Sequence, residues 1–130
     1  MGDGMWRERA GRCGERIAEE FLTLQGCEIV DRNVRVGRGE IDLVVRDKGD
    51  VVFVEVKFRT SGNAAASLEA ITVKKREDVA KAAALYLARR GLLDRPVRFD
   101  VIGITWRERD HELLVQHIPN AYPGGRHQFF

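Results

Sequence analysis

Apolar positions along the chain keep two different rhythms. From Trp6 to Gln25, Ala10, Cys13, Ile17, Phe21 and Leu24 recur every three or four residues, which predicts an amphipathic helix closed by Gly26. Cys27 to Val36 is β-compatible, with Ile29, Val34 and Val36 as inward positions and Gly37-Arg38-Gly39 as a turn. Two apolar runs follow, Glu40 to Arg46 and Val51 to Arg59, separated by Asp47-Lys48-Gly49-Asp50, and these read as a hairpin. Residues 60–67 form a Ser, Gly, Asn and Ala loop. Leu68 to Arg90 is alanine-rich and helical, with a break near Thr72, a packing stripe of Val79, Ala83, Tyr86 and Leu87, and Gly91 as the stop. Val97 to Trp106 and Leu113 to Ile118 read as strands around a charged turn. The predicted order is α-β-β-β-α-β-β, an α/β domain over residues 1–118 with a polar tail at 119–130.

The hairpin carries the chemistry. Pairing Arg46 with Val51 across the turn sets Val44 opposite Phe53, Asp42 opposite Glu55 and Glu40 opposite Lys57. Glu40, Asp42, Glu55 and Lys57 then share one face. Directly opposed carboxylates repel unless positive charge lies between them, and a divalent cation with oxygen ligands answers that need. Mg²⁺ is satisfied by one or two carboxylates, a carbonyl and waters, so Asp42, Glu55 and the Val56 carbonyl form a candidate set. Lys57, on the same face, would orient water or neutralise a phosphoryl transition state. An exposed ion-pair ladder is the plain alternative. It accounts for Glu40 beside Lys57 and fails for Asp42 beside Glu55.

Composition narrows the setting. The chain has 130 residues, 44% hydrophobic and 32% charged, an ordinary balance for one globular domain. No apolar run approaches the roughly 20 residues of a membrane span, and the N-terminus lacks the apolar core of an export signal, so a cytoplasmic protein is expected. Cys13 and Cys27 have no metal-ligand spacing and are expected as free, mostly buried thiols. Net charge is only +2, yet Thr72 to Arg98 holds eight basic residues against three acidic ones. Charge counting alone assigns these to a solvated helix face. His111, His117 and His127 lack zinc spacing and read as structural. Asp100 reads equally as structural or functional.

Asp42, twelve residues, then Glu55-Val56-Lys57 resembles the PD-(D/E)xK signature of restriction-endonuclease-like nucleases, with Ile41 in place of the proline. Gly14-Glu15 with Ala18, Arg32-Asn33 with Arg35, Gly39-Glu40-Ile41-Asp42-Leu43, Val52 to Lys57 with Arg59, Arg98-Phe99-Asp100-Val101-Ile102 and His117-Ile118-Pro119-Asn120-Ala121-Tyr122 together resemble the small bacterial YraN family, over nearly the whole chain. That family is grouped in fold and motif with Holliday-junction resolvases. The resemblance implies a restriction-endonuclease-like fold with a central mixed five-stranded sheet, and a Mg²⁺- or Mn²⁺-dependent endonuclease acting on branched or damaged DNA. It makes Glu15 the helix carboxylate, Asp42 and Glu55 the metal ligands and Lys57 the catalytic lysine. Glu40 becomes an accessory that pairs with Lys57 or reaches a second cation. Lys74 and Lys75, with Arg59 and Arg38, are expected on the nucleic-acid backbone. A homodimer joined through the tail is a further expectation. A nucleic-acid-binding module with weak or no chemistry, and an interaction protein on the same fold, remain the alternatives.

Overall fold

The computed structural model describes residues 3–60 and 68–123, with backbone alone for residues 3–10. Helix α1 spans Asp3–Leu24 and is followed by strands β1 (Glu28–Val36), β2 (Gly39–Asp47) and β3 (Asp50–Arg59). Helix α2 (Val73–Arg89) and strands β4 (Val97–Arg107) and β5 (Glu112–Ile118) complete it. The element order is the predicted one. All five strands form one sheet in sequence order, antiparallel except for the parallel pair β3 and β4. A parallel pair cannot be closed by a tight turn, so α2 serves as the crossover.

The two helices cover opposite faces, which is why β3 and β4 read as near-continuous apolar runs. On the α2 side Val44, Phe53, Phe99 and Val101 of the sheet form one core with Ala83, Tyr86 and Leu87 of the helix. Under α1 lie Leu43, Val45, Val52, Val54, Ile102 and Ile104 with Ala18 and Leu22. The α2 stripe is the predicted one, and Thr72 caps the helix by accepting from the Lys75 N–H at 3.1 Å.

Helix α1 turns inward a face shifted from its stripe of larger apolar residues, of which Ile17 and Phe21 pack partly against the core. Leu24 is 86% exposed and Cys13 is exposed, whereas Ala18 and Leu22 are buried. Small residues decide this: a Cβ on Gly14 would meet the Phe58 Cβ at 3.3 Å, so the helix packs close on that side. Of the two free cysteines only Cys27 is buried.

The β2–β3 register is as expected, with Arg46 opposite Val51 and Val44 opposite Phe53. The turn is tighter, because Asp47 and Asp50 also pair and leave Lys48 and Gly49 (φ 59° and 139°) as a two-residue loop. The segment after β5 begins packed on its own sheet: Ala121 donates to the Phe99 carbonyl at 2.7 Å and Tyr122 stacks on Phe99. Residues 124–130, which carry the rest of the expected tail contact between copies, lie outside the described residues. Among the described residues no helix is long and apolar enough to cross a membrane.

Candidate metal centre

Strand β2 changes face at Asp42. Ile41 and Val44 pack in the same cluster beneath α2, while Leu43 and Val45 face α1. Strict alternation would place Ile41 with Leu43. The strand therefore twists between them, and its pairing with β3 runs only as far as Leu43 opposite Val54. On the other side, Asn33 of β1 has φ 49° between the pairs Arg32–Leu43 and Val34–Ile41. In place of a ladder bond, the Asp42 carboxylate accepts from the Val56 N–H at 2.8 Å. Asp42 and Glu55 thus converge through a side chain, and the expected ladder pairs Asp42–Glu55 and Glu40–Lys57 are not made.

Glu55 is 6% exposed on the α2 face. Its Oε1 lies 3.4 Å from Lys57 Nζ and 3.7 Å from Lys75 Nζ, so two ammonium groups balance it without a short hydrogen bond. Lys57 stands beside Glu55 as the alternation predicts. Lys75, expected on nucleic acid, points instead at the carboxylate.

Asp42 is held well above its ordinary value, pushed up to about 7, first by burial and then by the negative charge of Glu55, with Glu15 adding to it. The Val56 N–H and Lys75 oppose that rise without cancelling it. Burial also raises the Glu15 carboxyl, against a hydrogen bond from Asn33 and with help from Glu40, Glu19 and Glu55. Glu15 belongs to the same electrostatic neighbourhood. It does not close a ready cage, since no three His, Cys, Asp or Glu side chains cluster tightly enough to hold an ion among the described residues. Glu40 reaches Arg35 at 3.9 Å and not Lys57, because the twist at Asp42 breaks the alternation that would have aligned them.

The chain matches the model of the uncharacterised protein family UPF0102 over residues 14–104. A UPF0102 protein of Anaeromyxobacter dehalogenans is 42% identical over 95% of this chain and 90% of that one. One of Symbiobacterium thermophilum is 48% identical over 88% and 96%. This chain belongs to the UPF0102 family. Among solved structures, SfsA of Pyrococcus furiosus in complex with Ca²⁺ aligns with TM-score 0.40 and 18% identity, over 85% of this chain and 62% of that one.

Sequence reasoning missed two residues around the site of this UPF0102 protein, Tyr122 and Arg76, and gave Lys75 a different role. Lys75 arrives by the packing of α2. Tyr122, 4% exposed, is sandwiched between Phe99 and the Arg76 guanidinium, which lies 5.2 Å from its ring centroid. Burial, Glu55 and Asp42 raise its phenol. Arg76 Nε and Arg59 Nε are both buried without a hydrogen-bond partner among the described residues. The signal for Tyr122 was its place in the His117 to Tyr122 motif, which gives no hint of where it packs.

Proposed function

We propose that this UPF0102 protein is a Mg²⁺- or Mn²⁺-dependent endonuclease that hydrolyses DNA phosphodiester bonds. What carries the reading is the approach of Asp42 to β3: a half-buried carboxylate beside the buried Glu55, held there by the Val56 N–H, at a cost in repulsion that the fold itself leaves in place. The donor set fits a hard cation. In an extended strand the N–H and C=O of one residue point to the same neighbour, so the Val56 carbonyl turns toward Asp42 and adds a third oxygen to the two carboxylates. When bound there, the cation stabilises charge on the phosphoryl oxygens and makes water acidic enough to act near neutral pH.

The chain's own groups do the remaining work. Asp42 and Glu55 fix the position of the cation, and the Val56 N–H fixes Asp42. Lys57, bound only loosely to Glu55, is free to turn its ammonium toward a phosphate oxygen and offset the charge that grows in the transition state. Glu15, tied to Asn33, adds negative potential from the α1 side. Arg59 at the end of β3 and Arg76 at the start of α2 add positive charge beside the site.

Incubation of the protein with branched and linear DNA duplexes, with Mn²⁺ or Mg²⁺ and with chelator, tests the proposal. Cleavage should require the cation and fall at least about a hundredfold in Asp42→Asn and Glu55→Gln, the several kcal/mol a metal contributes to phosphoryl transfer. Equal cutting by wild type and both variants, or none by wild type on any DNA, overturns it.

A further inference from the structure

Beyond the cutting site, α2 and β1 enclose a second charged feature. Two clefts of about 300 and 500 Å³ follow one another along the same side of α2 and share Val36. The first, between the β1–β2 turn and the start of α2, is lined by Arg38, Lys74 and Lys81. The second, beside β1, is lined by Arg35, Arg89 and Arg90. The acidic residues present are already engaged: Asp78 with Lys74 at 3.9 Å, and Asp31 with Arg90 at 2.8 Å. Arg38, Lys81 and Arg89 are exposed and have no ion-pair partner among the described residues.

We infer that this groove is the track on which one strand of a nucleic-acid duplex lays its phosphates on the way to the cutting site. The inference rests on the reading of that site as a phosphodiesterase. From Lys74 to Arg89 the helix advances about 22 Å, at about 1.5 Å per residue. That is the axial length of roughly six base pairs. Lys74 lines the groove while its neighbour Lys75 reaches Glu55, so groove and cutting site both lie at the start of α2.

Its floor exists because Gly39 has no side chain. A Cβ there would collide with the Asp78 carbonyl oxygen and stand 2.6 Å from the Ala82 Cβ, so the turn and the helix meet backbone to backbone. A duplex fits better than a single strand. Single strands are held by aromatic platforms, and the aromatic of this groove, Tyr86, is buried with Arg90 laid over its ring at 4.5 Å. Arginine and lysine contacts to phosphate carry no sequence information, so binding should be indifferent to sequence.

Fluorescence anisotropy of a labelled duplex of about 20 base pairs in chelator, across a salt series, tests the groove without cleavage. Lys81→Glu with Arg89→Glu should weaken binding more than about tenfold and lower the salt slope by about two. Arg107→Glu with Arg109→Glu, the same change in charge at the β4–β5 turn, should do neither. Lys81→Ala with Arg89→Ala repeats the test without reversed charge, and melting curves check that each variant folds. Equal binding by wild type and both groove variants overturns the inference even if wild type cuts DNA. So does a single strand of equal length that binds as tightly as the duplex, or a wild type that binds neither. Loss of binding in the groove variants together with no cation-dependent cutting by wild type would leave the track standing and remove the proposed chemistry.

Discussion

The Asp42 carboxylate accepts from the Val56 N–H at 2.8 Å, just past the last ladder pair between β2 and β3. A side chain replaces a backbone partner there, and the replacement keeps an acid beside Glu55 although the ladder pair that would have opposed the two is not made. In the absence of a cation this arrangement opposes folding. Asp42→Asn keeps the shape and, with its amide oxygen toward Val56, the hydrogen bond, while removing the repulsion. It should raise the melting temperature of the metal-free protein at about pH 8 and abolish the rise that Mn²⁺ gives the wild type. Differential scanning calorimetry with and without Mn²⁺ checks both; a variant that melts lower than wild type without cation and still gains from it contradicts the assignment.

The same pair sets a pH dependence whose sign is unusual for a carboxylate. Asp42 rises from an ordinary 3.8 unfolded to about 7 folded, so between those values the folded state holds the extra proton. Stability therefore falls as pH rises from about 4 to about 7, by an amount on the order of a few kcal/mol. Asp100 acts in the opposite direction and in a lower window. Burial would raise it, but bonds from His117, Arg98 and Asn120 prevail and hold it below 3.8, so its contribution is lost as pH falls below about 4. Urea melts of metal-free protein from about pH 3 to 8 should peak near about pH 4 to 5, and in Asp42→Asn the decline above about pH 5 should largely vanish.

Gly39→Ala and Gly11→Ala should move stability in opposite directions. The Cβ at Gly39 meets main chain of α2 and the Ala82 side chain, neither able to swing away, whereas at Gly11 it meets nothing within 4 Å. The first should cost about 1–3 kcal/mol or more as α2 is pushed off the turn. The second replaces glycine inside α1 and should gain up to about 1 kcal/mol. Equilibrium denaturation of both reads the difference, and a tolerated alanine at Gly39 would mean that the turn is free to move.

Much of this was legible in the chain. Helical and strand periods differ enough to give the element order, and the turn at Asp47 to Asp50 set Arg46 opposite Val51, with face parity giving the rest of the ladder. The convergence of Asp42, Glu55 and Lys57 followed from that parity, but its mechanism did not. The twist at Asp42 lies against Asn33 of another strand, and Lys75 reaches Glu55 only because α2 packs over β2 and β1. The inward face of α1 was misjudged because glycine and alanine carry little hydrophobic signal, although they permit the closest packing. The role of Arg98 was hidden because two of its partners, Asp47 and Asp50, come from the hairpin turn, which only the folded sheet brings beside β4.

Arg98 is the test of that last point. Its guanidinium lies 3.1 Å from Asp100, 2.9 Å from Asp47 and 3.3 Å from Asp50, tying β4 to the β2–β3 turn. Asp100 has no exposed surface, and beyond Arg98 it is met by His117 Nε2 at 2.8 Å and the Asn120 N–H at 2.9 Å. Arg98→Ala strands a buried carboxylate and releases two more, which should cost about 3–5 kcal/mol. Arg98→Lys restores one charge without the fork and should recover only part of the loss. Asp100→Asn removes the buried charge together with the need for Arg98, so the double variant Arg98→Ala, Asp100→Asn should be less destabilised than the sum of its singles. A double-mutant cycle in urea measures that coupling, and additive costs would show that the two residues act independently.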